Sequence, residues 1–380
     1  MSDFNYENMT PELKAYLDQP GRPSYEYPKD NEGKTLYNTP TPESKALVEA
    51  WQTEHDRLKA AATPEVIDAY YKAQKVWYCR DETATGESRE HVSPNGQYKL
   101  VVTMHTTGTG TWNYSKGKVY VGDRLITEVC RNYAAFPFAW VEKHAGTGHD
   151  YLVCGEDFQG QTVVNLVTGQ RVDSLPRSAA EGFGFCWAGI HPSPDGKTLA
   201  VEGCYWACPY EVILVDFTTP MTPPWLVLDR DEDDDFAGWN PDGTCNIGRR
   251  FEVVDLPGHP LHGKKDNDCT MEELEQVEAY VAEHEVQASD DSEAGWKVVK
   301  ETHLWTRPEN VVMVRNHLRL HVPWVEKHGG EYHHDIAVQF RLMWEACSQV
   351  EREVILADGD LGPMAVKVQA WAEKALSEPV

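Results

Sequence analysis

The 380-residue sequence contains no apolar run near the ~20 residues that a helix needs to cross a bilayer. It is also poor in positive charge. Its 35 Lys and Arg stand against 61 Asp and Glu, a net charge of -26. Affinity for nucleic acid comes mainly from neutralising phosphates, so nucleic acid is not an expected partner. An anionic membrane surface is disfavoured on the same ground. Residues Met1–Leu13 lack a basic stretch followed by an apolar one. No secretory signal is read there, and a cytoplasmic location is expected. The nine cysteines are an odd number spread along the chain, which fits reduced thiols and not a disulfide scaffold. No GxxxxGK[ST], no GxGxxG after a strand, no GxSxG and no two His at helical spacing with Glu between them occurs. Nucleotide kinases, simple dehydrogenases and α/β-hydrolases lose support accordingly.

Hydrophobic residues make up 41% of the chain, enough for a sizeable core, and aromatics reach 11%. Large aromatics bury much area per residue and suit stacked sheets. The acidic excess keeps the chain soluble, and it can also attract cations or basic proteins.

Residues 1–90 read as a helical and extended N-terminal extension packing on the core. Thr10-Pro11-Glu12, Thr41-Pro42-Glu43 and Thr63-Pro64-Glu65 each combine a hydroxyl cap, Pro at the first turn and an acid near the positive helix end. Pro20–Pro40 reads as an extended wrapping segment. From His91 the pattern changes. Ser93-Pro94-Asn95-Gly96, Ser193-Pro194-Asp195-Gly196 and Asn240-Pro241-Asp242-Gly243 each suit a type I turn and each precede an apolar run. Their positions imply one period of about 50, with one turn missing near Glu142–Gly146, and such periods signal four-stranded propeller blades. Gly117–Val121 and Leu125–Cys130 read as a hairpin around Gly122-Asp123. Tyr151–Cys154, Thr162–Leu166 and Gln170–Asp173 form a second set of strands, and Leu199–Glu202, Glu211–Asp216 and Trp225–Leu228 a third.

The fold expected is therefore mainly β: propeller-like blades of antiparallel strands over 91–257. A polar insertion with one helix, from about Thr270 to Glu285, spans 258–295. Further β-strands and a C-terminal helix occupy 296–380. There, Trp296–Trp305 and Val311–Val322 read as strands and Pro363–Leu376 as the helix. Asp335–Val350 fits either period, since Ile336, Val338, Phe340 and Leu342 alternate while Ile336, Phe340, Met343 and Cys347 step like a helix. Trp-Val-Glu-Lys-His occurs twice, at Trp140–His144 and Trp324–His328, as a repeat echo or a coincidence.

The combination of Ser-Pro-Asp-Gly, a strand, and Glu211-Val212-Ile213-Leu214-Val215-Asp216 resembles the blades of WD-like and TolB-like β-propellers over 91–256. That resemblance implies architecture alone. Gly148–Val164, Gly182–Ala188 and Gly203–Glu211 also resemble a family of uncharacterised microbial and viral proteins with no assigned activity, which transfers no function.

Acids follow two apolar strands beside Gly and Cys, at Cys154-Gly155-Glu156-Asp157 and Glu202-Gly203-Cys204. Glycine there lets a backbone or ligand come close. Glu156, Asp157 and Glu202, with His149, are the candidate catalytic set for acid–base work or cation binding at a channel mouth. The alternative is that these acids cap turns. Cys204 and Cys208 suggest zinc, but no second close Cys pair completes four ligands, and buried free Cys is the commoner case. The histidines His317, His321, His328, His333 and His334 read as surface or hydrogen-bonding groups. Asp229–Asp235 reads as a solvated acidic loop without the spacing of a calcium site.

Two functions stay open. One is a binding scaffold for a protein or small-molecule ligand, contacted by Tyr205, Trp206, Trp187 and Trp112. The other is a hydrolase or lyase using the carboxylates and His149. No cofactor is expected, a divalent metal being the one that the acids admit. The sequence is silent on oligomeric state.

Overall fold

The computed structural model describes residues 40–60, 78–106, 113–155, 159–177, 184–205, 210–232, 234–288, 293–328 and 333–377, with 11, 27 and 75. Helix α1, Pro42–Ala60, opens as expected: Thr41 Oγ1 accepts a hydrogen bond from the Ser44 amide, and Pro42 fills the first helical position. The segments expected as helices after Thr10 and Thr63, and the Pro20–Pro40 stretch, lie outside the described residues apart from a few isolated positions.

Four antiparallel sheets follow in chain order, each built from consecutive strands. The first holds β1 (Ala84–Val92), β2 (Tyr98–His105), β3 (Tyr114–Val121) and β4 (Arg124–Arg131). The second holds β5 (Phe138–Val141), β6 (Tyr151–Cys154), β7 (Gln161–Asn165) and β8 (Arg171–Ser174). The third holds β9 (Phe185–Pro192), β10 (Thr198–Tyr205), β11 (Glu211–Asp216) and β12 (Val227–Glu232). The fourth has three strands, β13 (Asp234–Trp239), β14 (Cys245–Val254) and β15 (Trp296–Trp305). This is the propeller-like, mainly β arrangement that the turn period implies.

Every corner of that period joins the first strand of a sheet to its second. At the first, Ser93 Oγ donates to Asn95 Oδ1 at 2.8 Å and accepts from the Tyr98 amide at 3.0 Å. At the third, Ser193 Oγ donates to Asp195 Oδ1 at 2.7 Å and accepts from the Thr198 amide at 3.0 Å. The turn missing near Glu142–Gly146 is present with other chemistry: Asp150 Oδ1 accepts from the Lys143 amide at 2.7 Å, and Lys143 takes a positive φ of 47°.

Alternation along the strands explains the packing. Leu152 and Cys154 face the first sheet in one apolar cluster, while Tyr151 and Val153 face the third in another. Val212 and Leu214 point to a further cluster with the fourth sheet and the helices, and Ile213 and Val215 point back to the second. A strand buried on both faces reads as an unbroken apolar run, as Glu211–Asp216 does.

After β14 the polar stretch carries α2, Met271–Glu283, with Thr270 and Glu273 forming a reciprocal capping box, and the chain returns as β15. Among the described residues four helices follow: α3 (Asn310–His328), α4 (His334–Ala346), α5 (Gln349–Ala357) and α6 (Leu361–Ser377). Val311–Val322, expected as a strand, is therefore helical. Its β-branched start favours a strand locally, but Met313, Val314, His317, Leu318 and Val322 are buried at helical spacing against α4 and the third and fourth sheets. The helical period also wins in Asp335–Val350, where Ala337, Phe340 and Met343 are buried. The two Trp-Val-Glu-Lys-His copies are not structural repeats, since one spans β5 and its corner and the other lies in α3. Asp229–Asp235, expected as a loop, instead runs through β12 and β13. Two of its acids are tied to neighbours: Asp229 Oδ2 accepts from Trp305 Nε1 at 2.9 Å, and Asp231 pairs with His303 at 3.6 Å.

Candidate functional site: a cleft among the first strands

A cleft of about 1190 Å³ runs along β1 and past the ends of β4, β9 and β10 that lie away from the corners. Strand β1 contributes Glu87, Arg89 and His91, and β9 contributes Cys186 and Trp187. The β4–β5 link adds Arg131, Tyr133, Phe136 and Phe138, and the far end of β10 and start of β11 add Cys204 and Tyr210. First strands of the first and third sheets thus both line it. Strand β1 is exposed along nearly its whole length, as expected of a strand that borders an opening.

The cleft has an unusual charge for this chain. Against an acidic excess overall, Arg89, Arg131 and His91 line it with Glu87 as their acidic neighbour. Arg131 is only 2% exposed, and its Nη1 donates to the Gly155 carbonyl at 2.9 Å. That bond fixes the guanidinium at the end of β4. Arg89 is exposed. His91 packs on Phe138 with ring centres 4.8 Å apart.

The residues singled out from sequence are distributed unevenly around this cleft. Trp187 lines it, but its ring is 7% exposed and belongs to the core shared by the second and third sheets. Tyr205 is partly exposed, packs edge-on against Phe185 at 5.1 Å, and lies under the Arg230 guanidinium at 4.6 Å. Arg230 in turn pairs with Glu211 at 2.7 Å. Trp112, Glu156, Asp157, Trp206 and Cys208 lie outside the described residues. By chain position they fall between the second and third strands of the first three sheets, so the sequence alone puts all five in equivalent links.

His149 and Glu202 are not brought together. His149 sits in the β5–β6 corner, where its Nδ1 meets the Asn165 side-chain amide at 2.9 Å. Glu202 lies well along β10 and pairs with a residue that sequence reasoning missed, His191 of β9, with Nε2 to Oε2 at 2.7 Å. The other carboxylate oxygen accepts from the Phe236 amide at 3.2 Å, and the His191 ring stacks on Phe236 at 4.5 Å. Gly189 stands opposite Glu202 in register, and a side chain there would run into Glu202 Oε2. The missed signal was the two-residue step from Gly189 to His191, which puts both on one face of β9.

Cys204 lies directly opposite Cys186 in the β9–β10 register, both are partly exposed and neither is in a disulfide, and the Cys186 thiol donates to the Gly184 carbonyl at 3.7 Å. Among the described residues no group of three or more His, Cys, Asp or Glu is arranged to hold a metal. Among the same residues no helix is long and apolar enough to cross a membrane.

No protein-family model matches the chain. Over 208 residues it is 35% identical to Uncharacterized protein R762 of Acanthamoeba polyphaga mimivirus, spanning 52% of this chain and 79% of the viral protein. Among solved structures, hydrazine synthase of Kuenenia stuttgartiensis is similar at 16% identity and a TM-score of 0.28, over 46% of this chain and 59% of that one. A likeness that slight carries no argument about fold or chemistry.

Proposed function

The chain belongs to the family of the mimiviral protein R762, and from that premise we propose that it is a propeller-like binding scaffold for a small anionic ligand with an apolar part. One observation carries the reading: a strongly acidic chain lines the cleft between its first strands with Arg89, Arg131 and His91. A desolvated, fixed guanidinium such as Arg131 recognises carboxylate or phosphate oxygens through charge-assisted hydrogen bonds. Phe136, Phe138 and Trp187 provide the apolar wall that ligand clefts usually need. The fold does not fix this choice, which rests on the site.

The test is a thermal-shift and tryptophan-fluorescence panel of aryl carboxylates, aryl phosphates and neutral analogues. Anions should stabilise the protein and neutral analogues should not. Arg89→Glu should weaken anion binding at least about tenfold, or about 1.4 kcal/mol, with the melting temperature of the free protein unchanged. Equal binding of charged and neutral ligands would sink the reading.

The His191–Glu202 pair favours a second reading, an enzyme using that pair for proton transfer. Glu202 also bonds the Phe236 amide, so it ties the third sheet to the fourth. If turnover of any ligand found by the panel is lost in Glu202→Gln while binding persists, the enzyme reading replaces the scaffold.

A further inference from the structure

We propose that Cys186 and Cys204 form a redox-responsive dithiol in the wall of the cleft, open to thiol–disulfide exchange with a low-molecular-weight disulfide. The inference does not depend on what the cleft binds.

Three observations support it. First, the two residues are direct partners across β9 and β10. Opposed residues of an antiparallel pair have Cα atoms roughly 4.5–5.5 Å apart, inside the ~4.4–6.8 Å range that a disulfide spans. Second, the backbones are pressed together at this point. A side chain added at Gly203 would lie 2.1 Å from the Cys186 carbonyl oxygen, so glycine is what permits the approach. Third, both residues are partly exposed and line the cleft, where a reagent can reach them.

Five other thiols offer a contrast, and Cys269, also partly exposed, is raised by burial. Cys79, Cys130, Cys154, Cys245 and Cys347 are buried. Cys79 is held far above the usual thiol range by its bond to Cys130 and by burial, and burial pushes Cys245 up to about 12. Such thiols do not supply the thiolate that exchange requires. Near Cys204 and Cys186 lies the exposed Tyr210, whose hydroxyl is raised by burial first and by Cys204 next.

The exchange balances in two steps. The Cys204 thiolate attacks one sulfur of the small disulfide, forming a mixed disulfide and expelling one small thiolate. The Cys186 thiolate then attacks the Cys204 sulfur, forming the protein disulfide and expelling the second small thiolate. The two protons from the cysteines end on those thiolates. The protein loses two electrons, and the small disulfide gains them.

The experiment treats the full chain with phenylarsine oxide and, separately, with oxidised glutathione, followed by alkylation and peptide mapping. The arsenical should protect Cys186 and Cys204 together from alkylation, and glutathione disulfide should first produce the Cys186–Cys204 link. Cys204→Ser and Cys186→Ser should each abolish arsenical protection and leave the remaining thiol as a stable mixed disulfide. Circular dichroism melts check that each variant folds. If one serine variant fails to fold, the other carries the result. Independent alkylation of the two thiols, or a first link joining either to Cys208 or another cysteine, overturns the proposal.

Discussion

The two ends of the sheets differ sharply. At the corner end, polar groups are paired across blades. The Asn95 amide donates to Glu142 Oε1 at 2.6 Å, the Ala145 amide to the Asp195 carbonyl at 2.9 Å, and Trp239 Nε1 to the His191 carbonyl at 2.9 Å. His144, fully buried, is the centre of this chain of contacts. Its Nδ1 accepts from the Gly146 and Thr147 amides, so Nε2 carries the hydrogen and donates to the Phe217 carbonyl at 3.0 Å. The opposite end holds a cleft, cationic side chains and two accessible thiols. One end fastens neighbouring blades, and the other leaves a cleft.

Four measurements can break or sharpen this contrast. The largest effect is expected at the open end, in Gly203→Ala. The new methyl group meets backbone at 2.1 Å and the Phe185 ring at 2.7 Å, so a loss above about 4 kcal/mol is expected. An unchanged melting temperature would mean that the strands are not pressed together beside the thiols.

Next is His144→Ala, which empties a fully buried site and strands the buried Phe217 carbonyl, at a cost of roughly 2–4 kcal/mol. Ligand affinity at the cleft should survive in the folded fraction. A loss of affinity larger than the loss of stability would show that the two ends are coupled.

Third is the response to acid. Burial holds His144 below the ordinary histidine range, and holds His317 at about 3 and His321 at about 4. Folded values lie below unfolded ones, so the unfolded chain takes up protons first. Stability is complete above the unfolded value of ~6.5 and falls as pH drops from there towards 4. The slope is at most about 1.4 kcal/mol per histidine per pH unit. Melting temperatures between pH 7.5 and 4.5 check this window, and His144→Ala should flatten the slope by its share. A slope equal to that of the parent would remove His144 from the account.

The smallest change is the stability of Arg89→Glu, expected within about 0.5 kcal/mol because the side chain is exposed. Greater destabilisation would make Arg89 a structural residue and weaken the anion reading.

Much of the fold was legible because its signals are local. Ser193, Asp195 and Gly196 make their turn with their own neighbours, so the tetrapeptide suffices to find the corner. Thr270 and Glu273 cap α2 in the same way. Val311–Val322 misled because its apolar residues satisfy both periods, and burial against other elements made the choice. The site was less legible. Glu202 was visible from sequence, but His191, 11 positions earlier, is its neighbour through strand register alone. Arg131 gave no signal, because its importance comes from burial beside a cleft.

The sequence by itself determined the spacing of the corners, the strands they start, and the helix inside the insertion. Each follows from contacts within a few residues, where side-chain chemistry and backbone geometry act without help from the rest of the chain. Only the tertiary structure decided which histidine meets Glu202, which cysteines face each other, and where an acidic chain gathers arginines. Those are meetings between distant segments, set by register across strands and by how successive sheets pack, and no local pattern encodes them.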